Sequence, residues 1–145
     1  MISFPGVLIV EDDVAIRNLL TSALEREPLR VDSAPDGVAA LEKVRDAPYA
    51  VLLVDLMMPR MNGFAFVQAL RELGLPNPPV VIVMTAFDEA AIRQLDSTLV
   101  HACIRKPFDV PLVVELVRDC AELMTGVRAR QATRDGFTIG DASEN

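Results

Sequence analysis

Six apolar residues in an unbroken row, Tyr49-Ala50-Val51-Leu52-Leu53-Val54, run directly into Asp55, and Pro59 follows after Leu56-Met57-Met58. A run without polar alternation reads as a strand covered on both faces, the kind found at the centre of a parallel sheet. That reading constrains the whole chain, because parallel neighbours need crossover connections and something must cover each face. Asp55 falls where the strand gives way to its loop. In open α/β sheets that carboxyl edge is where ligands bind.

The same pattern recurs along the chain. Val7-Leu8-Ile9-Val10 ends in Glu11-Asp12-Asp13, and Val80-Val81-Ile82-Val83-Met84 ends in Thr85-Ala86. Leu29 to Ala34 alternates and reads as a shorter strand close to an edge. Val100 to Ile104 is a weak fifth strand, followed by Arg105-Lys106-Pro107-Phe108. Between the strands, apolar residues recur at helical spacing. Ile16, Leu19, Leu20, Ala23 and Leu24 mark a first helix that Pro28 ends; Val38 to Asp46 forms a second, closed by Pro48. Phe64, Val67, Leu70 and Leu73 line a third, and Asp88 caps a short fourth over residues 89–95. Asp109 caps the last, with Val113, Leu116, Val117, Cys120 and Leu123 facing inward. Strands alternating with helices through short links predict an α/β fold, a single doubly wound (βα)5 sandwich around a parallel five-stranded sheet.

A chain of 145 residues suits one domain. Its net charge of −7, with no basic stripe, argues against nucleic acid as a direct partner. No apolar run approaches the roughly 20 residues of a membrane span, and no signal-like segment opens the chain. Cys103 and Cys120 are too few for a disulfide framework and read as small buried hydrophobes, so a cytoplasmic protein is expected. Helical periodicity fails from Thr125. The domain is therefore placed at residues 5–124, with 125–145 as a polar C-terminal tail or linker.

A parallel sheet would bring Glu11, Asp12, Asp55, Thr85 and Lys106 to one edge. Clustered carboxylates repel one another and suit a hard cation such as Mg²⁺. Lysine offers a compact positive charge to a phosphoryl oxygen, and a threonine hydroxyl offers it a hydrogen bond. Metal, ammonium and hydroxyl around one free carboxylate are what an aspartyl-phosphate site needs, since phosphoryl transfer is mainly positioning and charge stabilisation.

With those residues in view, the chain resembles a response-regulator receiver domain of two-component signalling. The resemblance rests on Leu8-Ile9-Val10-Glu11-Asp12, Ala34-Pro35-Asp36-Gly37, Asp55-Leu56-Met57-Met58-Pro59-Arg60-Met61-Asn62-Gly63, Met84-Thr85-Ala86 and Lys106-Pro107-Phe108 in that order. It implies a flavodoxin-like fold of strand order 2-1-3-4-5. It implies that Asp55 accepts a phosphoryl group from a histidine kinase or phosphotransfer protein, with Thr85 as the switching hydroxyl and Lys106 as the pairing cation. Mg²⁺ would be held by Asp12, by Glu11 through water, by Asp55 and by the Met57 backbone carbonyl. Output would go to an unidentified downstream protein or a homodimer, with no enzymatic activity beyond the domain's own phosphorylation and dephosphorylation.

The departures lie after the fourth strand. Cys103 stands where the family places an aromatic switch, Leu99-Val100-His101-Ala102 replaces the usual Gly-Ala pair, and Phe87 is bulky where many relatives are polar. These keep two alternatives in view: a pseudo-receiver that binds without switching, and the receiver part of a longer DNA-binding regulator. A haloacid-dehalogenase-type phosphatase resembles Asp-x-Asp at its site; here Met57 takes the second place, which disfavours a dedicated hydrolase.

Overall fold

Val7 to Val10 and Val51 to Val54 are each fully buried, as strands covered on both faces must be. The computed structural model describes residues 4–58, 60–86, 93 and 100–133, the side chains of 125–133 excepted. Its elements are β1 (Gly6–Val10), α1 (Val14–Leu24), β2 (Arg30–Ala34), α2 (Gly37–Asp46), β3 (Val51–Asp55), α3 (Gly63–Leu73), β4 (Val80–Thr85), β5 (Val100–Arg105) and α4 (Val110–Thr133). All strand pairs are parallel, in the order β2-β1-β3-β4-β5. The expected doubly wound, flavodoxin-like architecture is what the chain adopts.

Because side chains alternate across a strand, the sheet separates two cores. Leu8, Val10, Leu52, Val54, Val81 and Val83 meet Leu41 and Val44 of α2 and Phe66, Val67 and Leu70 of α3. On the other face Val7, Ile9, Leu53, Ile82 and Met84 meet Leu20 and Leu24 of α1 and Val113, Val117 and Ala121 of α4. Three helices start on side-chain caps: Asp13, Asp36 and Asn62 accept the N–H groups of Ile16, Ala39 and Ala65, each at 2.9 Å. A cap of this kind contributes about 1 kcal/mol and fixes where the strand-to-helix loop ends.

Several helix faces differ from the periodicity reading. Leu19 is 51% exposed and Leu123 is 58% exposed, while Phe66 and Ala121 are fully buried. In α1 and α4 the true contact is a narrower stripe, rotated away from those leucines. Phe64 and Leu73 only edge the core that Phe66 fills. Helix α4 continues to Thr133, past the end of its apolar stripe. Arg128, Ala129, Arg130, Gln131 and Ala132 are strong helix formers, which favours its continuation.

Cys103 is exposed and Cys120 half-buried, against the expectation that both are buried. β5 is an edge strand that alternates between half-buried and exposed positions, and Cys103 lies on the outer face. The β4–β5 register shifts between Val81 and Ile82, whose partners are Val100 and Ala102. His101 is the extra residue of that bulge, and its Nδ1 accepts the Val81 N–H at 3.2 Å. The predicted helix over 89–95, with Phe87 and Asp88, lies outside the described residues. Among the described residues, no helix is long and apolar enough to cross a membrane.

Candidate functional site

Parallel register carries the site residues to one level. Val10 pairs with Val54, and Asp55 pairs with Met84 one step before Thr85. Glu11, just past β1, is fixed by its N–H to the Ala34 carbonyl at 3.0 Å. Its own carbonyl accepts Arg17 Nη1 at 2.8 Å, and its Oε2 accepts the Asp13 N–H at 3.2 Å. The acids therefore leave β1 in a defined conformation rather than as a free polar loop.

Glu11, Asp12 and Asp55 each offer a carboxylate oxygen within 4.8 Å of the others. Glu11 and Asp55 are buried, whereas Asp12 is exposed at the mouth. Lys106 Nζ lies 3.2 Å from Asp55 Oδ2 and 3.4 Å from Glu11 Oε1. The Lys106 N–H donates to the Thr85 carbonyl at 2.9 Å, so the last residue of β4 and the lysine after β5 are joined through the backbone. Thr85 is fully buried, and the Lys106–Pro107 peptide is cis. The structure thus brings Glu11, Asp12, Asp55 and Lys106 together and sets Thr85 beside them at the end of β4.

After Asp55 the chain turns at once. The Leu56 N–H donates to the Met84 carbonyl at 3.1 Å, and the Met57 N–H donates to Asp55 Oδ1 at 3.0 Å. The Met57 side chain is 54% exposed, so its thioether takes no part in the cluster. Gly63 opens α3 directly against this turn. A Cβ there would stand 2.6 Å from Leu56 Cα and 2.9 Å from the Asp55 carbonyl oxygen, which only glycine avoids.

Burial pushes the Glu11 carboxyl up to about 7 from 4.5, and its hydrogen bond and charge contact with Asp55 push the same way. For Lys106, burial pulls the ammonium down, but the Asp55 and Glu11 carboxylates overcome it and hold the lysine above its ordinary value. Lys106 pairs with Glu11 and Asp55, and with Asp12 beside them the cluster keeps an excess of negative charge that adds to burial in raising the Glu11 carboxyl. A hard cation would relieve it, and an all-oxygen donor set suits Mg²⁺. The residues present fit such an ion.

Periodicity gave no sign of Arg17. Its guanidinium returns from α1 to the Glu11 carbonyl across six residues of sequence, and only the folded loop makes that contact visible.

A family model of the response regulator receiver domain matches residues 7–118. The chain is 33% identical over 114 residues to the response regulator RR06 of Streptococcus pneumoniae, covering 78% of this chain and 51% of that protein. It is 36% identical over 104 residues to the transcriptional regulatory protein CpxR homolog of Haemophilus influenzae, covering 71% and 44% respectively. The chain therefore spans about half the length of these relatives. Among solved structures it is similar to the response regulator TrrA of Thermotoga maritima in complex with Mg²⁺-BeF, with a TM-score of 0.70 and 26% identity, over 81% of this chain and 99% of that one.

Proposed function

The chain belongs to the response regulator receiver family, and from that membership we propose that it is the phosphorylation-dependent switch of a two-component system. Asp55 takes a phosphoryl group from a histidine kinase or phosphotransfer protein. A carboxylate oxygen of Asp55 attacks phosphorus in line, the P–N bond to the donor histidine breaks, and the electron pair leaves with the imidazole nitrogen. The product is an acyl phosphate on Asp55.

Glu11, Asp12, Asp55 and the Met57 carbonyl would hold Mg²⁺. When bound, the ion screens the carboxylates and offsets the charge on the phosphoryl oxygens. Lys106, already paired with Asp55, supplies the second positive charge to those oxygens. Thr85 supplies a hydroxyl donor, and its shift toward the phosphoryl group is the start of the switch. Because its carbonyl also accepts the Lys106 N–H, movement at one is felt at the other.

The receiver occupies residues 5–124, and its last helix runs on to Thr133 into the polar segment placed at 125–145. It acts in the cytoplasm by contact with a downstream protein or by homodimerisation, and its chemistry is confined to its own phosphorylation and dephosphorylation. The observation that carries this reading is Lys106 set between Glu11 and Asp55 in a three-carboxylate cluster. Intact mass after incubation with Mg²⁺ and a small phosphodonor tests it. One added phosphoryl group is expected, absent with chelator and in Asp55→Asn. A folded, Mg²⁺-binding protein that gains no mass would refute the switch. It would favour a pseudo-receiver, a second reading that the exposed Cys103 supports by leaving β5 without its aromatic switch.

A further inference from the structure

The loop from Leu56 to Asn62 shapes the site in two ways. Its Met57 N–H orients the Asp55 carboxylate, and the carbonyl we assign to the cation belongs to the same residue. Three of its described residues are anchored by apolar burial. Leu56 and Met58 are buried, and Met61 packs beside Gly37, where a Cβ would fall 2.9 Å from Met61 Cγ.

Arg60 is held differently. Its side chain is 63% exposed, and its φ of 63° is a left-handed conformation that side chains of this size rarely adopt. Its ion-pair partner is Asp36, with Arg60 Nη1 3.1 Å from Asp36 Oδ2. The Asp36 carboxylate is 7% exposed and already accepts the Ala39 N–H at Oδ1. A buried carboxylate needs compensation at its remaining oxygen, and Arg60 provides it. One guanidinium thus ties the start of α2 to the loop that carries Met57.

We propose that the Asp36–Arg60 pair is a positioning device for the cation site, holding Met57 and the Asp55 carboxylate in the geometry that binds Mg²⁺. The inference rests on the reading of Glu11, Asp12, Asp55 and Met57 as Mg²⁺ ligands. Neither Asp36 nor Arg60 touches the ion; they act through the loop.

Calorimetric titration of Mg²⁺ into the parent, Arg60→Ala, Arg60→Lys, Asp36→Ser and the Asp36→Ser/Arg60→Ala double variant tests this. Serine keeps the cap on α2 while removing the charge. Charge alone predicts opposite shifts, because loss of a cation favours Mg²⁺ binding and loss of an anion opposes it. Positioning predicts that both single variants weaken binding about ten-fold, the scale seen when support behind a metal ligand is lost. The double variant should then be no weaker than either single one, and Arg60→Lys should recover most of the affinity. Binding by Arg60→Ala as tight as the parent's or tighter, or fully additive losses in the double variant, would overturn the proposal. A parent that does not bind Mg²⁺ overturns the ligand assignment and this inference with it. A parent that binds, beside unaffected folded variants, overturns the inference alone.

Discussion

Replacing Gly63 with alanine adds one methyl group at the junction of β3 and α3, where the structure leaves no space for it. The new Cβ would stand 2.6 Å from both Cα and Cδ2 of Leu56 and 2.9 Å from the Asp55 carbonyl oxygen. Ordinary carbon contacts need about 3.5–4.0 Å. The Leu56 side chain can turn away, but its Cα and the Asp55 carbonyl cannot. Helix α3 must therefore withdraw by about 1 Å, stretching the 3.1 Å hydrogen bond from Gly63 N–H to the Leu56 carbonyl. Overpacking of this kind costs about 1–3 kcal/mol, and the lost hydrogen bond about 1 kcal/mol more. Alanine's better helix propensity returns at most about 1 kcal/mol. The net expectation is a destabilisation of about 1–3 kcal/mol. In urea, with a slope of about 2 kcal/mol per molar, the midpoint should fall by about 0.5–1.5 M. Because the displaced backbone includes Asp55, Mg²⁺ affinity should fall as well. A midpoint unchanged within error, or raised, would refute the claim that backbone contact selects glycine here.

Truncating Phe66, the largest of the fully buried side chains among the described residues, to alanine should cost about 3–5 kcal/mol in urea unfolding, since it empties the core between the sheet and α3. Tyr49→Phe removes a 2.6 Å hydrogen bond to Asp32 and should cost about 1.5–2 kcal/mol at pH 7. Burial, reinforced by the Asp32 hydrogen bond, pushes the Tyr49 hydroxyl up to about 12 from 10.0. The folded state thus keeps its proton more tightly than the unfolded one. Its contribution is complete below pH 10 and is lost as pH rises toward 12, a pH-dependent fall in stability that Tyr49→Phe should abolish. Lys106→Met should raise Mg²⁺ affinity several-fold by removing a competing cation, while lowering the yield of phosphorylated protein; weaker Mg²⁺ binding would contradict the charge reading.

The sheet was legible because doubly covered strands announce themselves: Val7–Val10, Val51–Val54 and Val80–Met84 have no polar alternation, and each is buried. Once those strands are parallel, the acids at their ends must share an edge, so Glu11, Asp12, Asp55 and Lys106 could be grouped in advance. Helix faces were less legible, because Leu19 and Leu123 satisfy the helical period yet lie outside the contact stripe. Supporting contacts were not legible at all. Arg17 on the Glu11 carbonyl and Arg60 on Asp36 join loops whose paths the period of hydrophobicity does not encode. The exposed Cys103 has the same cause: its burial depends on what covers an edge strand, not on its neighbours in sequence.

Lys106 meets Glu11 across 95 residues of chain. Asp55 therefore acquires its counter-ion only when the C-terminal strand has joined a sheet begun at the N-terminus, and contacts of such long range form late and slowly. A nascent or partly unfolded chain carries all three acids without the lysine that completes them. On the proposed function, competence to accept a phosphoryl group would then depend on completion of the sheet that joins Lys106 to Glu11.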